Sequence, residues 1–378
     1  MAVEVQGGEG SRGFAPLAAG FHRALPAKDF YDPAILALER ERIFDRKWIC
    51  MGREEEMPTV GDFLVRELLG ESLLLVRGRD SRARAFYNVC RHRGSRLCAE
   101  ERGHLPGVIQ CPYHAWTYSV EGDLVGTPNV KDGEGFDRAD FPLVPLALEM
   151  WEGFLFVNLD PSPPPLAAQL GSEGPAYARY RLGDLKLVRL NRYECASNWK
   201  VIVENFNECL HCPTVHPELC EIMPLYRRGL VIEDDGFLGN RLPSGVTTWT
   251  RTGRSKVPPL PGLTDEDLGT YWGFVIFPTT FVNLLPNVVT YEILWPVTPD
   301  LTRVEYGFLF DPDEAAKPGF DGEDIIEFRD LIVRQDLHVC EVAQQGARCR
   351  GYRQGVLPPQ DDLVYAFERQ YLRERDGT

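Results

Sequence analysis

Short apolar runs separated by glycine and charged turns mark the first half of the chain, at 63–68, 72–76, 85–89 and 153–159. Runs of this length bounded by turn residues predict strands of a small antiparallel β domain. The residues ahead of them read as a separate leader with a helix at 33–44. The run Asp160-Pro-Ser-Pro-Pro-Pro165 can join neither a helix nor a central strand, so it predicts a stiff linker. Beyond it, Trp199, Ile202, Val203, Phe206 and Leu210 recur close to a 3.6-residue period behind Ser197 as cap, and that helix must end by Pro213. From 271 to 310 the pattern turns to strands, with Leu285-Pro-Asn287 and Pro299-Asp-Leu301 as turns, and 321–345 returns to helix. Strands in runs beside a few long helices indicate an α+β fold and not alternating βαβ units. The expected division is a helical leader at 1–45, a β domain at 46–160, a linker at 161–166 and a second domain at 167–378.

A chain of 378 residues is long enough for two or three cores, which agrees with that division. The balance of 41 Lys and Arg against 56 Asp and Glu leaves a net charge of −15, the wrong sign for the counterion release that drives nucleic-acid binding. Ten cysteines do not make a disulfide scaffold at this length, and the first thirty residues lack the apolar core of a secretory signal, so the expectation is a reduced, cytoplasmic protein. Thr270 to Tyr291 carries no charge, but Pro278, Pro286, Asn283 and Asn287 amid β-branched and aromatic residues predict two buried strands and no membrane helix.

Two constellations carry chemistry. Cys90-Arg-His92 is followed, after eighteen residues, by Cys111-Pro-Tyr-His114. Each pair puts one thiolate and one imidazole on a tight loop. A structural zinc site also takes two cysteines and two histidines, but its usual spacing pairs Cys with Cys and His with His. Alternating Cys/His loops are what a Rieske [2Fe–2S] cluster needs, since two histidines hold one iron and two cysteines the other. Cys98 has no mate in the second loop and reads as a packing residue.

The second constellation is Glu204-Asn-Phe-Asn-Glu208-Cys-Leu-His211, then Cys-Pro-Thr-Val-His216. On a helix Glu208 and His211 would share a face, while His216, past Pro213, could swing back to meet His211 at one ion. A 2-His-1-carboxylate set leaves coordination positions open for O₂ on non-haem Fe(II). The C-terminal helix offers the carboxylate: Ile332, Asp336, Val339 and Ala343 follow a core-facing spacing, and a buried acid needs a partner such as a metal. Asp330 is the alternative, but Glu327 and Arg334 at helical spacing place it on a solvated face.

With these residues in view, the sequence resembles the large (α) oxygenase subunits of the Rieske non-haem iron oxygenases. The match rests on the C-x-H and C-x-x-H loops, on Glu208, His211 and His216, and on Gln335-Asp336 with Cys340-Glu341. The resemblance implies a Rieske domain ahead of a helix-grip catalytic domain with an antiparallel sheet and long helices, on which the leader packs. It implies a head-to-tail homotrimer in which the cluster of one subunit serves the mononuclear iron of its neighbour, with Glu208 bridging the ligand histidines. Electrons would come from NAD(P)H through a separate flavin/iron–sulfur reductase, with or without a ferredoxin. The absence of a G-x-G-x-x-G fingerprint in the chain agrees with an external reductase.

The run from Glu204 to Pro213 is similar to the branch that oxidises quaternary amines such as glycine betaine, stachydrine or carnitine, whereas ring-hydroxylating dioxygenases usually carry Asp where this chain has Glu208. N-demethylating monooxygenation of a small amine is therefore the first reading and aromatic-ring dioxygenation the alternative. A zinc-stabilised binding protein would leave the second constellation unexplained. Trp249, Tyr271, Trp272, Tyr291 and Trp295 are the candidate substrate-binding rings, because a quaternary ammonium is recognised through aromatic faces, and Phe281 is a further candidate for the pocket wall.

Overall fold

The continuous apolar run at 73–76 belongs to a sheet that buries both of its faces. A computed structural model of the chain describes residues 17–128, 130–131, 133, 135–172, 177–229 and 239–377, so the first sixteen residues of the expected leader lie outside the described residues. The chain enters through strand β1 (His22–Pro26) and helix α1 (Pro33–Glu39), where Asp32 caps α1 by accepting from the Ala34 N–H. Strands β2 (Ile49–Arg53), β3 (Asp62–Leu68), β4 (Glu71–Arg77), β5 (Ala83–Tyr87) and β6 (Arg102–His104) follow. Strands β7 (Val108–Gln110), β8 (Thr117–Ser119) and β9 (Leu124–Gly126) form a three-stranded sheet of their own. Strands β10 (Pro145–Trp151) and β11 (Phe154–Asn158) return to the larger sheet, whose seven strands are ordered β2-β11-β10-β5-β4-β3-β6.

Side chains alternate faces along a strand. Leu64, Leu73 and Leu75 point into the main core of the molecule, while Phe63, Val65, Leu74 and Val76 join a smaller core with Cys90, Cys111, Trp116 and Tyr118. The sheet thus separates the first pair of Cys/His loops from the body of the protein.

The second half contains strand β12 (Lys186–Cys195), helices α2 (Trp199–Phe206), α3 (Cys212–Val215) and α4 (Pro217–Ile222), and strand β13 (Asn240–Arg241). Strands β14 (Thr270–Ile276), β15 (Thr280–Leu285), β16 (Val288–Thr298) and β17 (Leu301–Phe310) complete an antiparallel sheet ordered β12-β17-β16-β15-β14-β13. The uncharged stretch from Thr270 is two of these strands and the start of a third. Among the described residues no helix is long and apolar enough to cross a membrane. Helix α5 (Glu323–Ala347) crosses the sheet, strand β18 (Gln354–Leu357) pairs with β1, and helix α6 (Asp362–Asp376) ends the chain.

The leader is fastened to this half by buried polar groups. Lys200 Nζ lies 2.5 Å from Glu39 Oε1, Trp199 Nε1 donates to Glu39 Oε2 at 2.9 Å, and Tyr371 Oη donates to Glu39 Oε1 at 2.7 Å. Both Lys200 and Glu39 are fully buried. A charge so placed is tolerable only with its partners in position.

Three local expectations are corrected. The cap of α2 is Asn198, which accepts from the Lys200 N–H at 3.0 Å, and not Ser197, whose carbonyl is taken by Thr302. The helix ends at Phe206, since the Asn207 side chain turns back to the Val203 carbonyl. Glu208, Leu210 and His211 therefore lie beyond it, and Pro213 sits inside the short α3, near its start, where its missing N–H is harmless. The stripe of α5 is also rotated: Ile325, Arg329, Ile332, Val333, Leu337, Cys340 and Gln344 are buried, whereas Ala343 is exposed.

Candidate functional site

The two Cys/His loops are built alike. Cys90 and Cys111 each receive a backbone bond from the residue four ahead, Gly94 and Ala115, both at 3.1 Å. The Cys90 N–H donates to the Ser95 carbonyl and the Cys111 N–H to Trp116, both at 2.8 Å. Gly94 and Ala115 both have positive φ, of 69° and 54°, which folds each loop back on its cysteine; for Ala115 that backbone is strained. The thiols are buried at 3% and 2% exposure, while His92 lies at the surface.

The imidazoles of His92 and His114 meet edge to face at 4.7 Å between ring centres, and His92 stacks on Trp116. Burial tends to raise Cys111, but the N–H groups of Tyr113 and His114 aimed at its sulfur hold it below its ordinary range. Cys90 remains raised by burial, although Tyr118 Oη lies 3.4 Å from its sulfur. The Nδ1 atom of His114 is buried without a hydrogen-bond partner. N–H groups directed at sulfur and an orphaned imidazole nitrogen fit a metal cluster held by two thiolates and two imidazoles.

The second set converges from two parts of the chain. Asp336 Oδ1 on α5 lies 2.7 Å from His216 Nε2 and 3.3 Å from His211 Nε2. The other nitrogens are taken: His211 Nδ1 is 2.5 Å from Glu208 Oε1, and His216 Nδ1 is 2.8 Å from Gln335 Oε1. Glu208 reaches His211 from a turn and not from a helix face, its second oxygen accepting from the Leu210 and His211 N–H groups. Burial opposes charge on His211, but Asp336 and then Glu208 hold it up to about 9. Burial likewise opposes charge on Asp336, and the two histidines outweigh it and lower that acid. Two Nε2 atoms and one carboxylate oxygen aimed at one point, with both Nδ1 atoms fixed by acceptors, fit the donor set of a 2-His-1-carboxylate metal site. Asp330, by contrast, is held by Arg334 at 2.7 Å and by Tyr193.

Cys209 and Cys212 flank His211 and are joined in a disulfide, their Cα atoms 5.0 Å apart, which corrects the expectation of a wholly reduced chain. The turn after α2 brings the pair into bonding range.

The set opens into a cavity of about 570 Å³ between α2, α5 and the sheet. Of the five candidate rings, Trp249 and Tyr271 border it. Trp272, Tyr291 and Trp295 do not: Trp272 lies beside Arg179, Tyr291 packs over Gly307 and against Phe154, and Trp295 faces Arg66. In the strands the pleat sends neighbouring side chains to opposite faces, so aromatic content alone did not say which rings reach the cavity. Phe281 lines it as well, and the residues missed on its wall include Phe206, Asn283, Glu292 and Arg329. The lone acid in the apolar run of β16 and the lone cation on the core face of α5 were the signals available.

Comparison with known proteins agrees with this construction. Residues 182–375 match the ring hydroxylating alpha subunit (catalytic domain) family, and residues 47–145 match the Rieske [2Fe-2S] domain. The chain is 34% identical over 337 residues to the carnitine monooxygenase oxygenase subunit of Escherichia coli (strain K12), covering 87% of this chain and 85% of that one. It is 29% identical over 364 residues to the glycine betaine monooxygenase oxygenase subunit of Chromohalobacter salexigens, covering 88% and 81%. The crystal structure of the quaternary ammonium Rieske monooxygenase CntA in complex with its substrate L-carnitine superimposes with a TM-score of 0.75 at 28% identity, over 93% of this chain and 96% of that one. A naphthalene 1,2-dioxygenase from Rhodococcus at 23% identity shares the fold, with a TM-score of 0.75. The chain is an oxygenase that works with a [2Fe–2S] cluster, a mononuclear iron, O₂ and electrons from a separate reductase, and it belongs to the Rieske non-haem iron oxygenases, as an oxygenase (alpha) subunit.

Proposed function

We propose that this oxygenase removes an N-methyl group from a small quaternary amine by monooxygenation, and that Cys90, His92, Cys111 and His114 hold the cluster while His211, His216 and Asp336 hold the iron. The observation that carries the substrate class is the near full-length similarity to carnitine and glycine betaine monooxygenase subunits, joined to a cavity whose walls are aromatic beside the donor set. When bound, the metals supply O₂ activation with electrons passed from the reductase. The remaining work falls to side chains. Glu208 and Gln335 accept from the Nδ1 atoms of His211 and His216, which fixes the proton each ring retains on Nδ1 and makes Nε2 the nitrogen a metal would take. Phe206 and Phe281, stacked at 4.3 Å, keep one wall of the cavity apolar.

One oxygen atom enters an N-methyl C–H bond and the other leaves as water, two electrons coming from NAD(P)H. The resulting hemiaminal breaks its C–N bond and releases formaldehyde, a proton and the demethylated amine.

The wider assembly belongs to the same proposal: a cytoplasmic homotrimer with domains divided at 45, 160 and 166, fed by a flavin/iron–sulfur reductase with or without a ferredoxin. Support for electron transfer between subunits comes from the exposed His92 and Tyr113, which leave the cluster loops open to a neighbouring chain.

The test reconstitutes the oxygenase with a reductase and NADH and supplies a panel of N-methylated amines and of arenes. Formaldehyde from an amine is the expected product. Ring-hydroxylated products with no formaldehyde from any amine would replace this reading with aromatic dioxygenation.

A further inference from the structure

The cavity contains a permanent positive charge that the oxygenase chemistry described above does not use. Arg329 is 4% exposed and lines the wall. Its Nε donates to Tyr306 Oη at 2.7 Å, and its guanidinium lies 4.7 Å over the Trp249 ring. Tyr306 Oη is steadied in turn by Thr290 Oγ1 at 2.8 Å. These contacts use one N–H and set the guanidinium against two rings, Trp249 and, at 5.6 Å, Tyr306. Among the described residues neither Nη atom of Arg329 has a hydrogen-bond or ion-pair partner, although the group carries five donors. A buried cation without an anion is costly, and the cavity that Arg329 lines is where an anion can reach it.

The register of the sheet shows what lies beside it. Phe281, Glu292 and Tyr306 are direct cross-strand partners on β15, β16 and β17, so their side chains stand in a row on one face. Glu292 is 8% exposed and makes no hydrogen bond among the described residues. Burial pushes its carboxyl up to about 8 against the pull of Arg329, and among the described residues no hydrogen bond or ion pair joins the two. Along α5, Arg329 and Asp336 are seven residues apart, two turns on one stripe and about 10 Å along the axis. The open guanidinium and the donor set therefore face one cavity from the same helix.

We propose that Arg329 binds the carboxylate of a zwitterionic substrate, held by Tyr306 and Trp249 so that its two Nη atoms form a bidentate pair with the acid while the N-methyl end lies at the metal site. A planar guanidinium fixed at Nε presents the edge that matches a carboxylate. The identity of the methylated end rests on the amine reading above; the anion at the other end rests on Arg329 itself. The selected substrates are betaine-like acids, in preference to cations that lack a carboxylate.

The test uses the holoenzyme and matched pairs of ligands. 4-(Trimethylammonio)butanoate is compared with its amide, and 3-phenylpropanoate with its amide, by calorimetric dissociation constants and, for the amines, by formaldehyde release. Each acid should bind about 10–100-fold tighter than its amide, an advantage that Arg329→Gln abolishes and Arg329→Lys reduces while the visible spectrum of the cluster is unchanged. If Arg329→Gln does not accumulate as coloured protein, wild type and Tyr306→Phe decide, because releasing Nε should narrow the acid-over-amide ratio. Amines demethylated with no preference for the acid overturn the carboxylate site and leave the amine reading intact. An Arg329-dependent preference for 3-phenylpropanoate, with no amine bound or oxidised, upholds the carboxylate site and overturns the amine reading. Equal loss of acid and amide binding in Arg329→Gln shows a structural cation and overturns the proposal.

Discussion

Gln335 and His216 are joined at 2.8 Å through Gln335 Oε1 and His216 Nδ1, while Asp336, the next residue on the same helix, meets Nε2 of the same ring at 2.7 Å. Gln335 Nε2 donates to Glu218 Oε2 at 3.3 Å, which turns the amide oxygen toward the ring. The Nδ1 atom must then carry a proton, which makes Nε2 the nitrogen a metal would take in place of its contact with Asp336. Gln335→Leu should weaken Fe(II) or Co(II) binding at the mononuclear site about 10–100-fold and leave the cluster's colour intact. Metal titration followed by absorption checks this, and unchanged affinity would remove Gln335 from the site's support.

Glu208 meets His211 from the outer side of the same cluster, with 18% of its side chain exposed. Glu208→Gln should keep both metals and greatly slow turnover, because the charged acceptor that connects the ligand shells is lost. Metal analysis beside single-turnover rates separates the outcomes. Retained activity ends the bridging role, and lost iron assigns Glu208 to metal retention.

The Lys200–Glu39 pair predicts a stability effect far from the chemistry. Lys200→Met leaves Glu39 buried with only Tyr371 and Trp199 as donors. The expected loss is about 3–5 kcal/mol, read by urea denaturation, and Glu39→Gln combined with Lys200→Met should recover part of it. A loss under about 1 kcal/mol would show that the pair is not needed.

The acids at the other end of α2 give a pH dependence. Burial and then the charge of Glu368 push Glu204 well above the usual carboxylate range, and burial moves Glu368 itself to about 7. Between the ordinary value of 4.5 and about 7 the folded chain binds more protons than the unfolded one, so stability falls as pH rises through that window. Glu368→Gln keeps the acceptor for the Leu25 N–H, so it should raise stability at pH 8 by on the order of 1–3 kcal/mol, with the gain vanishing near pH 4.5. Melting curves at the two pH values decide; a gain equal at both would exclude proton linkage as its source.

The sequence by itself pointed to the chemistry, because most of the proposed ligands come in local pairs. Cys90 with His92, Cys111 with His114, and Glu208 with His211 are within three residues, and a tight turn joins such neighbours whatever the rest of the chain does. This is why Glu208 reaches His211 even though the helix expected to carry both stops at Phe206. Asp336 was legible as an acid on a largely apolar helix, despite a stripe drawn out of phase. The α+β class followed equally from period and punctuation.

Tertiary structure decided what depends on which face of a strand looks inward. Trp272, Tyr291 and Trp295 sit on strands as aromatic as those that line the cavity, yet the pleat and register turn them elsewhere. The same register sets Glu292 between Phe281 and Tyr306, and the crossing of α5 brings Arg329 to Tyr306 and Asp336 to His216, 120 residues away in sequence. Local propensity carries no record of pairings over such separations; they are fixed by how two sheets and one long helix bury their apolar faces against each other.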